Sequence, residues 1–536
     1  MFNYIIIGAG SAGCVLANRL SENPANSVLL IEAGGKDSKL EIKIPAAYGK
    51  LNYSNVDWGY YSEPQTFVDN RKMYQPRGKT LGGSSSTNAM AYIRGHRNDY
   101  DRWEILGAKG WSYADVLPFF KKSEHNEQFQ NAFHGVAGLL NVTSAKHFRT
   151  PLAEAFVKGC VENKIPENQD CNGAEQLGAG FFQFTIKNGK RHSTASAFLV
   201  PALNRKNLSV MTNALVLRII IENDKAVGVE IKTKNGTQII KADKEIILSA
   251  GAFGSPQILM LSGIGSKQDL KKHGIDLKKE LEGVGNNLHD HVFYGVSSLS
   301  NWKGTLNDVL KPMNQLKHLL NFFINKKGPL TISPLEAYAF LNSDETQIQP
   351  DIQFHFAPAH LGTEKELANG ADIYNTDTYP KTDGFTILPS LIQPKSRGYV
   401  ALRSNNPSDA PIIQPNYLSE EADRDLLLKG FHKAKSVIES SAFAPFTKGI
   451  NYPTRYVSDD DIMAHIRKTL ECIYHPVGTC KMGNDELSVV DSELRVHGIQ
   501  KLRVADASVM PQIISGNTNA ACIMIGERCA TFVLDN

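Results

Sequence analysis

Apolar side chains in residues 3–35 form two unbroken runs, Tyr4–Ile7 and Val28–Ile31, and Val15, Leu16 and Leu20 lie between them at helical spacing. Short continuous apolar runs fit strands buried on both faces. The stretch therefore predicts a strand, an amphipathic helix and a second strand ending at Glu32, a βαβ opening. From about 205 to 250, alternation in "LSVMTNALVLRIII", "AVGVEIKT" and "KEIILSAGA" predicts short strands, with turns at Asn223-Asp224 and Asn235-Gly236. Between 305 and 325, Leu306, Val309, Leu310, Met313, Leu316, Leu319, Leu320 and Phe323 recur at helical spacing, and Pro312 either kinks that helix or marks its start. Such a stripe is expected to face a core or cover a substrate domain, with a membrane-surface helix as the alternative. Residues 346–400, richer in Pro, Asp and Thr, are expected to contain exposed loops. No repeat, low-complexity tract or linker interrupts the chain, so its domains are expected to interleave.

Two segments, 246–265 and 507–526, carry no charge over a span-like length. Both contain Pro, Gly and Ser, and the second contains two Asn, which favours a buried strand–turn–helix in a soluble protein. A chain of 536 residues accommodates several domains. Its 58 Lys+Arg against 55 Asp+Glu create no strong field for nucleic acid or an anionic membrane, leaving a small molecule as the expected partner. Seven cysteines, an odd number with no C-x-x-C pair, fit a reducing compartment. The N-terminus has no basic stretch ahead of its first apolar run, so no signal peptide is expected and the cytoplasm is the expected location.

Gly8, Gly10 and Gly13 form G-x-G-x-x-G between the first strand and the helix. Glycines at this spacing permit a tight turn, backbone approach to a pyrophosphate and close helix–strand packing, with the helix N-terminus facing the phosphates. Glu32 follows Gly13 by nineteen residues, where a carboxylate can accept from ribose hydroxyls. The unit predicts an adenine dinucleotide, and its spacing leaves NAD and FAD both open. No second G-x-G-x-x-G follows; "GVGNNL" from Gly283 lacks the third glycine. The Gly/Ser loop at 76–93 reads either as a flexible linker or, through Arg77, Lys79, Gly82 and Gly83, as a loop approached by a phosphate-bearing ligand. In "ECIYHPVGTCKMG", His475 lies between Cys472 and Cys480 at C-x2-H-x4-C spacing and reads as a metal ligand, a packed imidazole or a base. A structural zinc site needs four ligands, of which this stretch offers three at irregular spacing, so no metal is expected.

Several separate motifs together resemble the glucose-methanol-choline (GMC) oxidoreductases over nearly the whole chain. They are "IIIGAGSAG" with "LLIEAGG", "GKTLGGSSSTNAM" at 78–90, "GAFGSPQILMLSGIG" at 251–265, "GVGNNLHDH" at 283–291, "YHPVGTCKMG" at 474–483 and "LRVADASVMPQIISGNTNAACIMIGER" at 502–528. The resemblance implies an α/β (α+β overall) fold: a Rossmann-like FAD-binding domain from residues 1–157, 205–298 and 480–536, and an interleaved substrate-binding domain on an antiparallel sheet from 158–204 and 299–479. It also implies that Gly8, Gly10, Ser11, Gly13, Glu32 and Ala33 hold the ADP part of FAD. Gly82, Gly83 and Asn88 would lie along the pyrophosphate and isoalloxazine, Val216 by the adenine, and Asp506 with Ala507 by the ribityl-pyrophosphate. His475 and Asn519 fall on the family's catalytic pair. Thr87 stands where some members carry a histidine joined covalently to FAD, so the expected FAD is non-covalent. Among subgroups the motifs look most like the choline dehydrogenase and medium-chain alcohol dehydrogenase branch.

In the reaction so implied, a primary alcohol, choline or an aliphatic or aromatic alcohol, loses its hydroxyl proton to His475 and a hydride to flavin N5. Asn519 would donate an amide N–H to the forming alkoxide without adding charge. Electrons would pass to a quinone or other carrier; an oxidase using O2 and a hydroxynitrile-lyase-like enzyme are the alternatives on the same fold. No nucleic-acid partner is expected, and peripheral membrane contact is kept open for quinone access. Choline would need an anionic or aromatic surround, for which Glu336 and the aromatics of "IQFHFAPAH" are candidates, though Glu336 reads equally as an ordinary polar contact.

Overall fold

The structure is a computed structural model describing residues 1–144, 148–362, 373–375, 378–453 and 458–535. The predicted opening is present as strand Phe2–Ile7, helix Ser11–Leu20 and strand Val28–Ile31, with both strands pairing in parallel. Their continuous apolar runs are explained by burial on both faces. Leu208–Met211 extends this sheet in parallel beyond Val28–Ile31, and Gly236–Leu248 lies on the other side of Phe2–Ile7.

Gly236–Leu248 is longer, at 13 residues, than the short strands expected from the sequence. Its first half pairs antiparallel with Lys225–Thr233, and its second half runs parallel to Phe2–Ile7 and Leu502–Val504. One strand thus ties a surface meander to a buried parallel core. The hairpin before it turns at Asn223 and Asp224, both at positive φ (51° and 56°), where short polar side chains tolerate the left-handed region. All the parallel strands end on one edge, where residues 8–10, Glu32, 249–251 and 505–507 gather. That carboxyl edge is where open α/β sheets bind ligands.

The second sheet is antiparallel, in the order Thr447–Tyr452, Val296–Ser300, Gly384–Leu391, Ile352–Ala357, Ala337–Leu341, Gly178–Phe181. Alternation divides its faces. Phe354 and Phe356 pack into a core with helices Pro151–Glu162 and Glu421–Ile438, whereas His355 and Ala357 face the main cavity. The expected domain cuts at 157/158 and 298/299 fall inside helix Pro151–Glu162 and strand Val296–Ser300, both parts of this second body. We propose boundaries near 150 and 291 instead.

Residues 346–400 contain the expected exposed loop positions, at 346–348 and 381–382, and also two fully buried strands, Ile352–Ala357 and Gly384–Leu391, that the composition did not announce. Pro389 lies inside a central strand, in register with Phe354 on one side and opposite the break between Val292–Phe293 and Val296–Ser300 on the other. The stripe at 305–325 does form a helix, Pro312–Asn325, with Pro312 at its first position, but it is not core. Met313, Leu316, Leu320 and Phe323 are exposed, and only Phe322 is fully buried along its length. Its apolar arc is wider than the strip that touches the protein. The two uncharged segments form the buried strand–turn–helix ending at Leu261 and the buried turn leading into helix Asn519–Leu534. Among the described residues no helix is long and apolar enough to cross a membrane.

Candidate active site

The first glycine turn is set by contact. A Cβ on Gly8 (φ 96°) would lie 2.5 Å from the Ser249 carbonyl oxygen, and one on Gly13 would lie 2.0 Å from that of Gly8. Gly13 is therefore a packing residue and is absent from the cavity wall, whereas Gly8, Gly10 and Ser11 line it. Helix Ser11–Leu20 has Gly10 at its N-cap and no side-chain cap, so its free N–H groups and positive dipole end are left for a ligand. Glu32 is buried at the same edge. Its carboxylate accepts from the N–H of Ala9 (2.9 Å) and of Gly34 (2.8 Å), and burial pushes its pKa up to about 7. The expected ribose acceptor thus also pins the turn, and each oxygen keeps a lone pair for a ligand. Ala33 and Val216 line this end with it.

Gly82 (φ 86°) and Gly83 (φ 52°) bring the second loop against the first; a Cβ on Gly83 would lie 2.8 Å from the Gly10 Cα. Gly82 only turns the chain, donating its N–H to the Ala9 carbonyl at 2.7 Å, while Gly83, Thr87 and Asn88 reach the cavity. The Asn88 Oδ1 accepts from Arg191 at 2.8 Å. Asp506 accepts from the Gly251 N–H (2.8 Å), the Ser255 hydroxyl (2.6 Å) and the Ser508 N–H (2.8 Å), and burial raises its pKa. Asp506 and Ala507 line the wall between this edge and the second sheet.

His475 follows Tyr474, held at φ 66°, a costly conformation for a bulky residue that is supported here by a bond from Arg77 to the Tyr474 carbonyl (2.5 Å). Asp290 Oδ1 accepts from the backbone N–H groups of His475 (2.7 Å) and His291 (2.8 Å), locking the two segments together. The rings meet edge to face, with Nδ1 to Nδ1 at 3.0 Å. His291 Nε2 faces the Ile392 carbonyl at 3.2 Å. A carbonyl only accepts, so His291 carries its proton on Nε2; its Nδ1 must then accept from His475 Nδ1–H. The consequence is a His475 whose Nε2 carries no proton and presents its lone pair at the cavity wall, where it accepts from the Asn517 amide. Burial, reinforced by His291, His355 and Arg77, holds its pKa well below the usual imidazole value, so the ring is neutral at neutral pH.

The amide beside that lone pair belongs to Asn517, whose Nδ2 lies 3.2 Å from His475 Nε2. The pairing expected of Asn519 is not made: its Oδ1 accepts from the Ser11 hydroxyl at 2.7 Å, joining two helix N-termini at the cavity wall. The cause is position. Asn519 is the first residue of helix Asn519–Leu534, and its side chain reaches the neighbouring helix start, whereas Asn517 precedes the helix in a loop. "SGNTNA" offers both amides, and only tertiary placement separates them. The sequence reading also missed Asp290 and His291, present in the quoted "LHDH", and His355. The Nδ1 of His355 meets Ser390 Oγ at 3.2 Å, while its Nε2 and the Oδ1 of Asn517 are buried without a hydrogen-bond partner among the described residues. Burial pushes the His355 pKa down to about 4.

Cys472 and Cys480 are buried thiols held well above their usual pKa by burial, and Cys472 lies 3.5 Å from the Tyr74 carbonyl. Glu336 is absent from the cavity wall. Its carboxylate accepts from the Thr150 N–H (2.9 Å) and hydroxyl (2.8 Å) at the start of helix Pro151–Glu162, and burial pushes its pKa up to about 7.

One cavity of about 540 Å³ runs from Gly8, Glu32 and Val216 past Gly83 and Ala507 to His475 and Asn517. A neutral imidazole with an unprotonated nitrogen can take a proton from a hydroxyl that replaces the amide contact, and the amide N–H can then hold the resulting oxyanion.

Two models of the GMC oxidoreductase family match residues 2–293 and 394–526. The alcohol dehydrogenase [acceptor] of Pseudomonas putida is 42% identical over 541 residues, covering 100% of this chain and 96% of the relative. The oxygen-dependent choline dehydrogenase of Sinorhizobium fredii is 41% identical, covering 99% of this chain and 95% of the relative. Among solved structures, a formate oxidase of Aspergillus oryzae studied for its FAD modification superposes with a TM-score of 0.92 at 27% identity, covering 100% of this chain and 98% of that one.

Proposed function

The chain belongs to the GMC oxidoreductase family, and from that premise we propose that it is an FAD-dependent dehydrogenase that oxidises an uncharged, apolar primary alcohol to the aldehyde. The observation carrying this reading is the unprotonated Nε2 of neutral His475, accepting from the Asn517 amide, in a cavity continuous with the dinucleotide turn. The residues at that turn fit FAD: Gly10 presents no side chain, the helix start is uncapped, and the Glu32 carboxylate retains acceptor capacity. FAD supplies the hydride acceptor, N5 of its isoalloxazine ring, for the carbinol hydrogen. His475 Nε2 takes the hydroxyl proton, His291 keeps the imidazole in the tautomer that can do so, and Asn517 donates to the developing alkoxide.

The substrate class follows from the wall. Phe293, Leu335, Ala357, Leu361 and Leu388 line the cavity from the second sheet and its connections, and none of the carboxylates on the wall (Glu32, Asp57, Asp409, Asp506) comes from that sheet. A quaternary ammonium substrate would lack a counter-charge there among the described residues, and Glu336 is already bonded to Thr150. Choline remains the second reading because Tyr374 and Tyr474, with ring centroids 5.9 Å apart, are on the same wall. Under anaerobic conditions, a primary aliphatic or benzylic alcohol should bleach the yellow protein at least about tenfold faster than choline at equal concentration. Faster bleaching by choline would reverse the order of the two readings.

For the electron acceptor we propose a quinone or similar carrier. Slow return of colour on readmitting air, with fast return on adding a soluble quinone, supports that choice; fast return in air identifies an oxidase. No bleaching by any alcohol, with release of a carbonyl and cyanide from a cyanohydrin, identifies a lyase. In this reading FAD is held without a covalent bond: Thr87 lines the cavity, and by the family resemblance it stands where some members carry the linking histidine. Acid precipitation should leave the colour in the supernatant; colour in the pellet would show a link through another side chain.

A further inference from the structure

Helix Pro312–Asn325 leaves a continuous apolar face exposed, along the wall of an open surface groove that Phe148 and Pro329 border on the other side. Met313 is 82% exposed, Leu316 59% and Ile324 73%, with Leu320 and Phe323 also exposed, so one i, i+3/i+4 stripe lies in solvent. Scattered exposed apolar residues need no explanation, but a contiguous stripe on a fourteen-residue helix does. The charge within the helix and the turn after it is one-sided, with acidic residues only at the flanks, Asp308 before and Glu336 after. From 309 to 335 the chain contains Lys311, Lys317, Lys326 and Lys327 and no Asp or Glu. Lys311 is paired with Asp308 at 2.8 Å, while Lys317, Lys326 and Lys327 make no ion pair among the described residues. This local excess is hidden in the near-balanced charge of the whole chain.

We propose that helix Pro312–Asn325 docks the protein on an anionic lipid bilayer, its apolar face lying among the acyl chains near the headgroups and its lysines at the lipid phosphates. An apolar stripe bordered by lysines is the pattern of an interfacial helix, whereas a protein partner fitted to the same lysines would have to supply a matching acidic rim. The location suits the site. The helix is preceded by Leu306 and followed by Pro334 and Leu335, all on the cavity wall. It packs on the turn Pro329–Thr331, which packs in turn against Pro45–Leu51, a segment that also lines the cavity. Docking would bring this side of the cavity wall to the bilayer, where apolar alcohols and apolar electron carriers dissolve.

The docking does not rest on the alcohol-oxidising reading, and its test needs no turnover. The flavin-loaded chain is sedimented with phosphatidylcholine vesicles and with phosphatidylcholine–phosphatidylglycerol vesicles, at low and high salt. Binding to the phosphatidylglycerol vesicles, weakened by salt, is expected. Leu320→Glu with Phe323→Glu should lower it by about tenfold or more. Neutralising Lys317, Lys326 and Lys327 to Gln should lower it by about fivefold per residue. These side chains are exposed and outside the cavity wall, so oxidation of alcohol with a soluble acceptor should be unchanged in both variants. A natural chain that stays in the supernatant overturns the proposal, as do variants that sediment like the natural chain. A shift in oligomeric state on Leu320→Glu, without vesicle binding by the natural chain, overturns it in favour of a second copy of the chain on this face.

Discussion

His475→Ala is expected to lower the rate of alcohol-dependent flavin bleaching by about 10²–10⁴ while the visible flavin absorbance of the purified protein is retained. The size follows from the base role: without an acceptor at Nε2, the hydroxyl proton must leave to water or to a group not aligned for it. Retention of colour follows from geometry, because the contacts that shape the dinucleotide end, from Gly8 to Glu32 and from Gly82 to Asn88, do not pass through His475. The natural enzyme adds a pH signature. Burial lowers the His475 pKa, so the neutral, active form persists far below pH 6.5, and kcat should fall only at pH values well below that point. His475→Ala should lose this acid limb, and added imidazole should restore part of the rate. Near-normal oxidation by the variant, with flavin bound, would remove His475 from the base role.

The glycine turn, Glu32 and the candidate base were legible because their signals are local: a strand, a turn, a helix start and a short motif each occupy adjacent residues. What escaped was set by contacts between distant segments. His291 and His475 are 184 positions apart, and only their approach fixes the tautomer that leaves Nε2 unprotonated. Glu336 looked equally suited to a cation or a polar contact, and its answer lay in Thr150, 186 positions away. The stripe at 305–325 had the right period, yet period gives the face and not its neighbour. Whether an apolar arc meets a core or solvent depends on how much of it the rest of the chain covers.

Asn517 and Asn519 make the sharpest contrast of this kind, because they sit two residues apart and make different contacts. Asn517→Ala should lower kcat by about 10²–10³, the usual cost of removing a donor that stabilises a developing oxyanion, with smaller change in substrate affinity. It should also alter the acid limb, since its amide touches the His475 lone pair. Asn519→Ala instead removes the acceptor of the Ser11 hydroxyl beside the uncapped helix start. Its expected result is weaker flavin retention on dilution, with kcat of the fully loaded enzyme within about tenfold of the natural value. The reverse outcome, a loss of two orders of magnitude or more in Asn519→Ala and little in Asn517→Ala, would mean that the loop before helix Asn519–Leu534 rearranges when FAD is bound. Stopped-flow reduction of both variants, each titrated to full flavin content first, separates the two because flavin retention and hydride transfer are then measured apart.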